Sequence, residues 1–172
     1  MLDSNDKKGG TLYAPSQWPY PISRDAMEVK NWENLVLELR DGVYCPFHTC
    51  NKGANLVSEE LRDLLTSFIE TTDEVDFLPV KVKSAEYGEN KYYIIHFRKI
   101  FDVIDKEKSI YIKETGDIIK LRLNYEKVKN LKVFNSASGV NNIIVSSEIR
   151  NAIKKAKLEM GIYFMPVYCE SK

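Results

Sequence analysis

The sequence predicts an α+β fold: one domain with a mostly antiparallel central sheet and two amphipathic helices. Three features point there. Short segments with alternating apolar side chains recur along the chain, the two-residue period of strands. Two segments, 58–70 and 147–159, instead repeat apolar residues every three to four positions. These helical segments also open on nearly the same residues. Leu56-Val-Ser-Glu-Glu-Leu-Arg-Asp-Leu-Leu65 matches Ile144-Val-Ser-Ser-Glu-Ile-Arg-Asn-Ala-Ile153 at an offset of 88 residues. Phe77-Leu-Pro-Val80 then answers Phe164-Met-Pro-Val167 at an offset of 87. The chain twice sets out an extended lead-in, a Ser-capped helix and a strand bearing Phe-x-Pro-Val, an internally repeated helix–strand unit.

Element by element, residues 1–10 read as a flexible tail, polar and mixed in charge with Gly9 and Gly10 at its end. The remainder, 11–172, reads as one domain. Residues 13–21 carry three prolines with Trp18 and Tyr20, an extended arm lying on the surface. Leu35, Leu37 and Leu39 alternate with Val36, Glu38 and Arg40 in a strand, and Asp41-Gly42 turns it. Ser58 caps the first helix, whose apolar face is Leu61, Leu64, Leu65, Phe68 and Ile69. Val75–Lys83 is a strand, with Pro79 requiring an edge or a bulge because it lacks an N–H. Tyr92–Phe97 is apolar on both faces and belongs at the sheet's centre. Residues 109–113 and 117–125 form a hairpin around Glu114-Thr-Gly116, the second arm placing Ile119, Leu121, Leu123 and Tyr125 on one side. Leu131–Phe134 is a short strand and Ser136–Gly139 a loop. Ser146 leads into the second helix, with Ile149, Ala152, Ile153, Ala156 and Met160 inward and Gly161 as its stop. Ile162–Tyr168 closes the chain as a strand.

The chain has 172 residues, 44% hydrophobic and 29% charged. At this length folding buries roughly 70% of the unfolded chain's surface, enough for a core without staples. No apolar run reaches the length of a membrane span, and the N-terminus lacks the pattern of a secretory signal, so a cytoplasmic, membrane-free protein is expected. Three cysteines, Cys45, Cys50 and Cys169, suit a reducing compartment. The formal net charge is zero, which weighs against general nucleic-acid binding. That total conceals an asymmetry: residues 1–90 hold 9 Lys and Arg against 16 Asp and Glu, and residues 91–172 hold 16 against 9.

Chemistry-bearing clusters are few. Cys45, His48 and Cys50 share one loop, and zinc there would need Cys169 as a fourth ligand. The spacing matches no familiar zinc knuckle, and the gap between Cys45 and Cys50 is not that of a redox pair. A thiol paired with His96 is a second arrangement for catalysis, against the simpler reading of His96 as a satisfied strand residue. Asp102 and Asp105 suit turns and caps rather than a calcium loop. The sequence therefore predicts no metal, no cofactor and no catalytic residue.

Three stretches taken together carry a resemblance. Val57-Ser58 opens the first helix ahead of Phe77-Leu-Pro-Val80; Asp102, Asp105 and Ser109 follow Tyr92–His96; Ile144-Val-Ser146 precedes Gly161-Ile-Tyr-Phe164. In this order they resemble a bacterial family of immunity proteins from polymorphic-toxin systems, over about residues 55–167. The resemblance implies a cofactor-free binder that neutralises a cognate protein toxin in interbacterial competition, by stoichiometric occlusion and without catalysis. It marks Ser58, Asp102, Asp105, Ser109, Ser146 and Gly161 as fold-making positions. For toxin contacts two sets stand out: the aromatics Trp18, Tyr20 and Trp32, since Trp and Tyr dominate interface hot spots, and the acidic run Asp73, Glu74 and Asp76. The bland readings are an arm stapled to the core by Trp18 and a solvated helix-to-strand connection. Two rival functions stand beside this one: a metal or thiol enzyme at Cys45, His48 and Cys50, and a nucleic-acid-binding module using the basic second half. The oligomeric state is open.

Overall fold

The computed structural model describes residues 10–16, 18, 29, 30, 32, 33, 35–136 and 143–170. The expected tail, apart from Gly10, and the expected loop beyond Ser136 lie outside the described residues. The fold is α+β. Its main sheet takes six strands: β1 (Leu12–Tyr13), β2 (Leu35–Leu39), β3 (Phe47–Thr49), β4 (Asn55–Ser58), β5 (Val75–Ser84) and β6 (Gly88–Phe97). Helix α1 (Glu59–Thr66) lies between β4 and β5. The second half adds β7 (Ile100–Phe101), β8 (Ile110–Tyr111), β9 (Ile118–Lys120), β10 (Arg122–Asn124) and the single turn α2 (Tyr125–Val128). It ends with β11 (Val133–Ser136), β12 (Ile143–Val145), α3 (Ser147–Lys155) and β13 (Tyr168–Glu170).

The six strands lie in the order β1-β2-β5-β6-β4-β3. All neighbours are antiparallel except β2 and β5, so the sheet is mostly antiparallel, as the sequence predicts. The two central strands, β5 and β6, pair along their full length. Tyr92–Phe97 of β6 are all buried, which requires strand neighbours on both sides and cover on both faces. Pro79 sits one residue before β2 begins to pair with β5 at Val80. Its missing N–H thus falls at a local edge inside a central strand.

Alternation sorts the side chains onto two faces. Leu37, Leu39, Val80, Val82, Tyr92 and Ile94 form one core cluster with Leu12 and Cys50, and Trp18 and Trp32 pack against it. On the opposite face Val57, Tyr93, Ile95 and Phe97 meet Leu61 and Leu65 of α1 and Ile149 and Ile153 of α3. Each fully buried leucine or isoleucine contributes about 1.5–3 kcal/mol, so this second cluster fixes both helices to the sheet.

The helix starts behave alike. Ser58 and Ser146 are extended, and each Oγ accepts the N–H three residues on, from Leu61 and Ile149, at 3.3 Å. The strand lead-in and capped helix therefore recur as β4–α1 and β12–α3. The strand half of the repeat does not. Phe77–Val80 lies in β5, whereas Phe164–Val167 belongs to no strand, and the expected strand Ile162–Tyr168 is realised only at its last residue, where β13 begins. Alternation alone does not make a strand; a ladder neighbour is needed, and 162–167 has none among the described residues.

Helix α3 also ends a turn earlier than expected. Lys157 turns left-handed (φ 59°), its N–H reaching the Lys154 carbonyl at 3.1 Å while the Leu158 N–H reaches that of Ile153 at 3.0 Å. This is the paired closure of a Schellman motif, and it leaves Met160 exposed rather than on the apolar face. Gly161 is thus not the helix stop. It is left-handed (φ +85°), and a Cβ there would stand 2.1 Å from the Phe47 carbonyl oxygen and 3.0 Å from Cys45 Sγ. The glycine lets the chain after α3 pass directly against the loop before β3.

In the second half β8 and β9 form the expected hairpin, Gly116 taking a left-handed conformation at its tip. Its second arm is interrupted: the chain leaves at Leu121, enters β10 beside the parallel β13, and starts α2 at Tyr125. Ile119 and Tyr125 are consequently exposed instead of sharing a buried side. Strand β11 lies between β12 and β7 and carries Phe134 into a third cluster with Val103, Leu123 and Leu131.

Gly161→Ala is expected to destabilise the protein by about 2 kcal/mol or more, combining left-handed strain with a backbone clash. Gly116→Ala, left-handed but with nothing within 4 Å, should cost only about 1 kcal/mol. Denaturant unfolding of the two variants measures the difference.

Candidate functional site

The sequence reads 45–50 as one loop, but its middle is strand β3, and the segment is built around His48, which pairs with Leu56. This imidazole is buried, with Nδ1 3.1 Å from the Gly10 carbonyl and Nε2 accepting the Cys45 N–H at 3.2 Å. Those partners specify the neutral tautomer protonated on Nδ1. Burial lowers the His48 pKa, opposed by the Gly10 contact. Cys45 Sγ donates to the Phe47 carbonyl at 2.9 Å, and burial pushes its pKa up to about 11. A nucleophilic or metal-bound cysteine is a thiolate; this one is held as the thiol. The Tyr92 hydroxyl donates to the Cys45 carbonyl at 2.8 Å, and burial raises its pKa.

Cys50 lies in the first core cluster, bridged to Leu12, while Cys169 is exposed on β13. All three cysteines are free, and no group of three His, Cys, Asp or Glu among the described residues is placed to hold a metal. The histidine beside Cys45 is His48, 3.4 Å from Sγ through Nε2. His96 is fully buried in β6, register partner of Asp76.

The acidic run divides sharply. Asp73 has no exposed surface. It ends a 3-10 turn, Thr71–Asp73, and its Oδ2 accepts the Glu70 N–H at 2.8 Å. Its Oδ1 accepts the Lys132 N–H at 2.6 Å and the Val133 N–H at 3.2 Å. Neither a toxin contact nor a solvated connection, the two readings the sequence offers for it, Asp73 is an internal tie between the α1–β5 connection and β11. Glu74, left-handed at φ 52°, and Asp76 are partly exposed, and Arg98 bridges both at 3.1 and 3.4 Å. The single Arg98 guanidinium balances one of these two negative charges in place.

Trp18 and Trp32 are partly buried on the first core cluster, and Trp32 Nε1 donates to the Pro79 carbonyl at 2.8 Å. Tyr20 lies outside the described residues. Among the fold-making positions, Asp105 Oδ1 accepts the N–H groups of Glu107 and Lys108 at 3.2 and 3.1 Å. Ser109 Oγ accepts the Arg122 N–H at 3.0 Å and donates to the Arg122 carbonyl at 3.3 Å, joining the two ends of the hairpin. The exposed Asp102 receives Lys127 Nζ on its carbonyl oxygen at 2.8 Å.

One feature escaped sequence reasoning. Of the ten large apolar side chains exposed among the described residues, eight lie in the second half, including Met160, Tyr163, Met165 and Tyr168. Beside them an open cleft of about 900 Å³ runs between the segment Ile162–Val167, the helix α3 and the strands β11 and β12. Its described lining includes Lys129, Lys132 and Arg150 and no carboxylate. The sequence signal is the alternation of Tyr163 and Met165 with Ile162 and Phe164, which reads as the closing strand.

No described helix is long and apolar enough to cross a membrane. The model of the immunity protein family designated Imm11 matches residues 20–168 of the chain. No curated protein matches it.

Asp73→Ala should cost about 3 kcal/mol or more, since it strands buried N–H donors at about 1–3 kcal/mol each; chemical denaturation reads the loss. For His48, the unfolded chain takes up a proton near the ordinary pKa of 6.5, before the fold does. Stability is therefore complete above about pH 6.5 and falls as pH drops through the lower folded value. Unfolding free energies measured from pH 7.5 to 5 should decline more steeply in the parent than in His48→Gln. Under native conditions at pH 8, a disulfide reagent should label Cys169 well before Cys45 or Cys50, as peptide mapping will show.

Proposed function

The chain belongs to the Imm11 immunity protein family, and from that premise we propose that it binds and neutralises a cognate protein toxin inside the producing bacterium. The single observation that carries this reading is the family match across residues 20–168, nearly the whole chain. It acts by stoichiometric occlusion in the cytoplasm, without cofactor or catalytic step. The architecture suits a binder: both faces of the central sheet are packed, so the surface is offered on a rigid frame.

The rival centre at Cys45, His48 and Cys50 gains no support from its geometry. A raised thiol pKa and a neutral imidazole bonded to backbone on both nitrogens are the reverse of an activated nucleophile pair. For the toxin contact, Glu74 and Asp76 remain accessible but are already bridged by Arg98. Trp18 and Tyr20 of the N-terminal arm, and Trp32 beyond it, remain candidates.

The test is isolation of the tagged full-length chain from its own cells, followed by expression of whichever protein copurifies. The expected partner is present at one copy per chain, stops growth when expressed alone, and loses that toxicity when the chain is supplied. Absence of a stoichiometric partner, or a partner that is harmless alone, would overturn the immunity reading.

A further inference from the structure

We propose that the extended segment Tyr163–Val167 and the cleft it walls are the docking edge for the toxin, occupied by an extended toxin segment bearing apolar side chains and a carboxylate. This rests on the immunity reading above and locates its interface.

The first ground is the backbone. Ile162 and Phe164 are partly buried on the second core cluster, while Tyr163 and Met165 are 67% and 62% exposed. That alternation is a strand's. Yet Tyr163–Val167 makes no backbone hydrogen bond to any other described residue; the nearest one is the Ile162 N–H on the Glu159 carbonyl. An extended, unladdered edge with outward apolar side chains is the surface onto which another chain adds a strand. Pro166, which has no N–H, limits the pairing to the residues before it and to Val167.

The second ground is charge. The cleft's described lining holds Lys129, Lys132 and Arg150 and no carboxylate. Lys129 and Lys132 are paired with the more exposed Glu126 and Glu148. Exposed pairs of this kind contribute little, so they exchange readily for a carboxylate brought by a partner. Lys154 adds a further cation 5.9 Å from the Phe164 ring. An acidic, apolar extended segment satisfies the cations, the ladder groups and the exposed side chains together. A second copy of this chain is less suited, because its own edge would bring the same cations into opposition.

The experiment uses the full chain and the toxin captured by it, with three variants. Tyr163→Ala/Met165→Ala removes the exposed anchors, Arg150→Glu reverses the cleft's charge, and Val36→Ser/Tyr87→Ser alters exposed apolar residues elsewhere as the control. All the altered side chains are exposed, and thermal unfolding verifies that each variant folds. The anchor variant should weaken toxin binding at least tenfold, mainly by faster dissociation. Arg150→Glu should slow association severalfold at low salt, with the difference shrinking at high salt. The control should stay within twofold. A photo-crosslinker at position 163 should join the chain to the toxin.

If the toxin binds the parent tightly but the anchor variant stays within twofold, or the crosslink reaches only a second copy of the chain, the docking site is wrong and the immunity reading stands. Failure of the parent to capture any toxin overturns both.

Discussion

The buried carboxylate of Asp73 is the interaction on which the two halves of this protein depend. The central sheet and α1 form a layer that the first half of the chain nearly completes by itself. The second half builds only small sheets, and nothing in its local propensity fixes where they sit. Asp73 joins the two by accepting the Glu70 N–H on one oxygen and the N–H groups of Lys132 and Val133 on the other. A polar group so deeply buried is tolerable because its acceptor sites are filled by fixed donors. The link is directional. It sets where β11 starts relative to β5, and hence where Lys132 stands on the rim of the cleft.

The Cys45 loop is the second such joint and uses a different device. Here the contact is steric and neutral: His48 holds the Gly10 carbonyl and the Cys45 N–H, Tyr92 holds the Cys45 carbonyl, and Gly161 lets the chain after α3 press against Phe47. Cysteine and histidine at close spacing look like chemistry in a sequence because catalysis and metal binding need those residue types. Both need, in addition, a stabilised thiolate. Burial without a cation drives Cys45 the other way, and the cluster becomes a packing joint between the N-terminal arm, β3 and the C-terminal segment.

The large sheet was legible because its strands are long enough to show their period. The alternation of Leu35, Leu37 and Leu39 and the doubly buried run of β6 each specified position as well as type. Both helix starts were legible as well, since a serine cap is a local signal. Asp73 was not, although Glu70 and Asp73 form a reciprocal capping pair around the 3-10 turn and their three-residue spacing is visible in the sequence. What hid it was its neighbours: Glu74 and Asp76 are partly exposed, and an acidic run reads as one solvated surface. The end of α3 was misplaced because Gly161 is the obvious stop, whereas Lys157 accepts a left-handed conformation once two backbone bonds and the packing of Leu158 support it.

The remaining disagreement is of another kind. Gly161, Lys157 and Asp73 concern which of two internal solutions the fold adopts, and each is explained by contacts inside the chain. Residues 162–165 carry a strand's pattern and a strand's in-and-out burial, which ends where Met165 and Pro166 are both exposed, yet the segment Tyr163–Val167 has no ladder among the described residues. Nothing inside the described fold resolves that mismatch. Natural sequences are locally consistent with their folds except where function requires otherwise. Under the docking proposed above, a sequence that selects for strand at an edge without a neighbour among the described residues is accounted for by a neighbour in another molecule. The cations lining the adjoining cleft then specify the chemistry of that neighbour, and its length is bounded by the segment itself: a short extended stretch set between β13 and the turn at Gly161.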